Sequence, residues 1–164
     1  MKRKWMMGVL LLAGMLLAPA SEIYAANSAA RVELGDAVQE ATKWQPDAIL
    51  TSVSSLTVDT EGNAATWFYG FYSPKAGKWL NVTAKGRSIE TLELGTGQTE
   101  AVPTDFLDSD KAMQAAAKLG VKGDAPRMGL SRAAWLISGG DKKGSVAVWL
   151  NPRTGRLIKR QTVQ

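Results

Sequence analysis

The sequence predicts an α+β fold of two tandem units, each one helix packed on an antiparallel β-sheet. Three observations lead there. Apolar residues recur at helical spacing over residues 32–44, four short alternating segments follow, and the same order of helix then strands returns after residue 101. The units are expected at 27–100 and 101–164, behind a signal peptide at 1–26.

In the first helix Leu34, Ala37, Val38, Ala41 and Trp44 share a side, with charged and amide residues between them, and Pro46 stops the run. Residues 48–58 alternate loosely and carry β-branched side chains, before Asp59-Thr60-Glu61-Gly62-Asn63 makes a turn. Residues 65–73 are the most aromatic stretch. A period of two puts Trp67, Tyr69 and Phe71 on one face and Phe68, Gly70 and Tyr72 on the other. Turns at Pro74-Lys75-Ala76-Gly77 and Lys85-Gly86 lead into strands at 78–84 and 87–94, and residues 95–105, without any period, read as a linker.

Asp108 or Ser109 caps the second helix, Ala112, Ala115, Ala116 and Leu119 line its buried side, and Gly120 ends it. Strands are expected at 134–138, 145–150 and 156–163. As an internal repeat, Trp67-Phe68 aligns with Trp135-Leu136 at an offset of 68. Leu80-Asn81 aligns with Trp149-Leu150, and Gly86-Arg87-Ser88-Ile89 with Gly155-Arg156-Leu157-Ile158, at an offset of 69.

Lys2, Arg3 and Lys4 precede an apolar run over 5–17 and then small residues, the pattern of a secretory signal cleaved after Ala25 or Ala26; an uncleaved anchor is the competing reading. The product is expected outside the cytoplasm, periplasmic or extracellular, with no stable membrane anchor, since no cysteine is present to carry a lipid. The 164 residues hold neither Cys nor His, which excludes Ser-His-Asp and Cys-His triads, thiol redox chemistry, and zinc or haem sites built on those ligands. No cofactor and no catalysis are expected.

What remains for acid–base work is Asp105, Asp108 and Asp110, or Asp59 and Glu61. The first set reads better as helix capping, and the second as a plain turn rather than a calcium loop. Asn81-Val82-Thr83 is a glycosylation sequon that matters only in a eukaryotic secretory route.

The closing hairpin carries a family resemblance. Asn151-Pro152-Arg153-Thr154-Gly155-Arg156-Leu157-Ile158, preceded by Val148-Trp149-Leu150 and by Ala134-Trp135-Leu136-Ile137 behind an Ala-rich helix, resembles the PepSY domain, with Asn where that family commonly has Asp. The turn residues are a fold signature: Asn accepts backbone bonds, Pro fixes φ and Gly takes positive φ. The resemblance covers about 55 residues well and implies a regulatory or inhibitory role, with a peptidase or another envelope protein as partner. A tandem of such units also looks like exported β-lactamase inhibitor proteins, whose disulfides this chain lacks.

Charge and aromatic residues mark the expected binding surface. The formal charge is +5; from Asp141 onward six basic residues meet one acid, whereas 27–140 is net negative. In an exported protein this basic end suits an acidic protein face, anionic lipid or acidic wall polymer, and nucleic acid is not expected. The competing reading is a row of solvated charges protecting an edge strand. Phe68, Tyr72 and Trp149 are the expected aromatic anchors if the outer sheet face is open, and Arg153, Arg156, Lys159 and Arg160 the expected steering charges. Simple alternation puts Arg156, Ile158 and Arg160 on one face of the last strand and Leu157 and Lys159 on the other.

Overall fold

The structure is a computed structural model that describes residues 26–142 and 144–163. Of the expected signal peptide at 1–26, residues 1–25 lie outside them. In chain order the elements are α1 (Ala30–Trp44), β1 (Ile49–Ser55), β2 (Trp67–Ser73), β3 (Lys78–Lys85), β4 (Ser88–Thr96), α2 (Ser109–Lys118), β5 (Arg127–Leu130), β6 (Trp135–Asp141), β7 (Gly144–Leu150) and β8 (Leu157–Val163). All eight strands form one antiparallel sheet in the order β4-β3-β2-β1-β5-β6-β7-β8.

This overturns the expectation of two tandem helix-on-sheet units. β1 pairs with β5 at the centre of the sheet, through Val53 with Leu130, Ser54 with Gly129 and Ser55 with Met128. A single core cluster runs from Ala30 and Trp67 through Phe106 to Trp135 and Leu150. The reason lies in β5, four residues with a glycine among them, too short to show an alternating pattern yet long enough to cover the open edge of β1. The segment read as a linker is also packed: Val102 is buried and its amide donates to the Leu50 carbonyl at 2.8 Å.

Both helices lie on the same face of the sheet, α1 over β2, β3 and β4 and α2 over β6 and β7. Alanines at 30, 37 and 41 of α1 and at 112 and 116 of α2 are buried, and their small side chains let the helix backbones come close to the strands. Val38, expected in the buried stripe, is 43% exposed. The pleat sends Trp67, Tyr69 and Phe71 inward as predicted, along with Leu80, Val82, Trp135, Ile137, Val148 and Leu150. The sequence alignment at offset 69 therefore sets inward Leu80 against Trp149, which pairs across strands with the outward Leu136; a slip of one residue reverses every face.

The two helices begin side by side. The Ala30 amide donates to the Ser109 hydroxyl at 2.9 Å, and the Arg31 amide to Asp108 Oδ1 at 3.0 Å, while that same oxygen accepts from the Ser109 amide at 2.8 Å. Asp108 and Ser109, expected to cap α2, thus also satisfy the first turn of α1, whose own N-cap residue Ala29 supplies no side-chain bond. Gly62 sits against this junction at φ 86°, where a Cβ would run into the Ser109 carbonyl. The indole N–H groups of Trp67 and Trp135 donate to the Ser28 and Leu107 carbonyls, each at 2.9 Å, and Phe106 meets Trp135 edge to face with ring centres 6.1 Å apart.

Candidate functional site

Directly paired residues of antiparallel strands share a face, so the registers can be followed across the side of the sheet that neither helix covers. One row crosses every strand: Glu90, Thr83, Phe68, Ser54, Gly129, Leu136, Trp149 and Lys159. Its centre is small and its flanks are large. Gly70 beside Ser52 extends the low floor, and a Cβ at Gly70 would strike the Ser52 hydroxyl.

Two hollows result, of about 430 and 260 Å³, which meet at Ser52 and Ser54. The larger is walled by Leu136 and Trp149 and floored by Gly129; the smaller is walled by Phe68, Trp79 and Leu94. Leu94, Leu92 and Leu136 are 45%, 61% and 40% exposed, an apolar content for which no helix or strand among the described residues provides cover.

The expected binding residues divide between this face and elsewhere. Phe68 and Trp149 are half-buried on the row, and the Lys159 ammonium lies 4.8 Å from the Trp149 ring centre, a cation over an aromatic face. Tyr72 stands on the same face but is only 8% exposed, because it packs at 5.4 Å against Trp79, which was not among the expected anchors. Arg153 is in the turn before β8, where its Nε donates to Asp105 Oδ1 at 2.6 Å; this contact holds the Asp105 carboxyl below its ordinary range. Arg156 is exposed at the same turn.

Arg160 turns to the helix side and closes α2, its Nε donating to the Leu119 carbonyl at 2.9 Å. The alternation expected for β8 is broken by a register shift: Leu157 pairs with inward Leu150 while Lys159 pairs with outward Trp149, so these two point to opposite faces. Trp79, Leu92, Leu94 and Leu136, with the Ser52, Ser54 and Gly129 floor, were not among the expected binding residues. Only the cross-strand registers bring them together.

The carboxylates are held in structural bonds. Asp59 Oδ1 accepts from the Glu61 and Asn63 amides, both at 2.9 Å; burial works against its ionised form, but these amide bonds prevail and hold the carboxyl low. Asp110 accepts from its neighbour Lys111 at 2.6 Å. Glu61 lines a polar hollow with Asp108 and Asp110, of which Asp108 is already engaged by two amides. Among the described residues no group of three acids is placed to hold a metal ion.

No family model matches the chain, and no curated protein does. Among solved structures the fold is similar to that of a protein from Clostridium difficile 630 described as a "putative lipoprotein". The match has a TM-score of 0.56 over 79% of this chain and 91% of that one, at 12% identity. At that identity the likeness is one of fold.

Proposed function

We propose that this is an exported protein of the cell envelope that binds a partner protein on the open face of its sheet and catalyses no reaction. The observation that carries the reading is the uncovered row itself, in which Phe68, Leu136 and Trp149 flank a floor of Ser54 and Gly129 with Lys159 at its end. Aromatic and aliphatic side chains around a hollow are the composition of a protein-binding surface, and an adjoining cation steers an acidic partner. Export is supported by the basic start and apolar run of the first residues, and an envelope setting by the description of the structural neighbour. Attachment through a lipidated cysteine is not open to this chain, which has none. A peptidase as the partner rests on the PepSY resemblance alone. The absence of catalysis is supported by the commitment of Asp59, Asp105 and Asp108 to amide and guanidinium donors.

Gly129 supplies the test. An added Cβ there meets nothing within 4 Å, so a side chain can start from this position, and Gly129→Leu is expected to fill the floor of the larger hollow. Envelope extract passed over the immobilised chain and over Gly129→Leu is expected to yield a protein whose saturable binding falls at least about tenfold in the variant, the loss of one central anchor contact, with the thermal midpoint unchanged. Equal binding to both chains would remove the open face as the site. A two-sided alternative, a small apolar ligand in the same hollow, would show as binding by a low-molecular-weight fraction that Gly129→Leu also abolishes.

A further inference from the structure

Among the described residues the sheet ends in two strands whose outer edges pair with no other strand, and their chemistry is complementary. We propose that copies of the chain join edge to edge, β8 of one copy pairing with β4 of the next.

Geometry allows this without rearrangement. With neighbouring strands all antiparallel, β4 and β8 alternate in sense, so a copy added beside the first with the same step and twist that relate neighbouring strands presents an antiparallel partner and continues both faces of the sheet. β4 is nine residues long, without proline, and every residue from Glu90 to Thr96 is exposed. Such an edge is a template for another strand unless something blocks it. Four of the eight large apolar side chains exposed among the described residues lie on these two strands, Leu92 and Leu94 on β4 and Leu157 and Ile158 on β8, so joining the edges sets a neighbouring strand beside half of that set.

Charge selects this pairing over the symmetrical ones. β8 carries Lys159 and Arg160 and no acid, while β4 carries Glu90 and Glu93 and no base; one arginine directly precedes each, Arg156 and Arg87. Glu93 is taken by Lys78 Nζ and Trp44 Nε1, both at 2.7 Å, whereas the Glu90 side chain has no partner among the described residues. Glu90 and Lys159 are the two ends of the same cross-strand row on the same face. Continuing the row into the next copy therefore brings Lys159 beside Glu90. A β8–β8 contact would set cations against cations, and β4–β4 acid near acid. Because the two edges differ, the contact does not close on itself, and the assembly grows with concentration.

Sedimentation velocity of the purified chain at low ionic strength tests this, with circular dichroism as the check on folding. The average sedimentation coefficient is expected to rise with concentration and to fall back as salt is added. Glu90→Lys and Lys159→Glu are each expected to weaken association about threefold to fivefold, the effect of setting like charges across a strand pair, and the double variant to restore it. Restoration separates a direct pair from loss of the Lys159 contact with Trp149. A chain that stays monomeric at every concentration overturns the proposal. So does association that neither single reversal weakens, or that the double variant fails to rescue.

Discussion

The two faces of this sheet receive the same residue types and give them opposite fates. On the helix side Trp67 and Trp135 are fully buried, with their indole N–H groups satisfied by backbone carbonyls. On the open side Trp79 and Trp149 are half-exposed, one packed on Tyr72 and the other under Lys159. Tryptophan content alone therefore says nothing of stability or of binding. Position on the pleat decides, and one position along a strand is enough to change the answer.

The contrast is sharpest in stability. Trp67→Ala or Trp135→Ala is expected to cost about 3–5 kcal/mol, from a cavity in the core and a carbonyl left without its donor. Trp149→Ala is expected to cost under about 1 kcal/mol, because the ring keeps one side in water. Urea denaturation of the three variants measures both numbers, and comparable losses would break the distinction between the faces.

Ser109→Ala is the next largest effect. The Ser109 hydroxyl is wholly buried and accepts the Ala30 amide, so its removal leaves an unpaired donor in the core at about 1–3 kcal/mol. Ser52→Ala, on the open face, is expected to stay within about 0.5 kcal/mol of the parent, as the same denaturant titrations will show.

The last expected effect is read by pH. Burial, and then the charges of Glu33 and Asp108, push the Tyr69 hydroxyl far above its ordinary value of 10.0, while it donates to the Ala30 carbonyl at 2.6 Å. The folded state thus keeps a proton that the unfolded chain releases. Its contribution is complete below about pH 10 and is lost as pH rises beyond that value. Thermal midpoints across pH 8–11 are expected to fall at the alkaline end, and Tyr69→Phe to flatten that fall. An unchanged slope in the variant would separate the covered face from the alkaline transition.

Much of the covered face was legible in the sequence. The helical stripe ending at Trp44, the inward set Trp67, Tyr69 and Phe71, and the capping residues Asp108 and Ser109 follow from period and residue type. The open face was legible only in part, because a row that crosses eight strands depends on registers between segments far apart in the chain. Phe68 and Trp149 were chosen for their type. Leu92, Leu94 and Leu136 carry no signal until pairing places them on that side. The single sheet was missed for a related reason: Arg127–Leu130 offers four residues, and what makes them a strand is the waiting edge of β1 rather than their own composition.

The shared start of the two helices also sets an order in time. The first turn of α1 finds its hydroxyl acceptor 79 residues further along, and β1 acquires its second neighbour only when β5 exists. A ribosome releasing this chain from its N-terminus delivers α1 and the first four strands before either partner. Until residue 130 has emerged, that portion holds a helix with open amides and a central strand with a bare edge. Contacts of such separation close slowly. The contacts that complete the central strand and the start of α1 are thus withheld until residue 130 of 164 has been delivered.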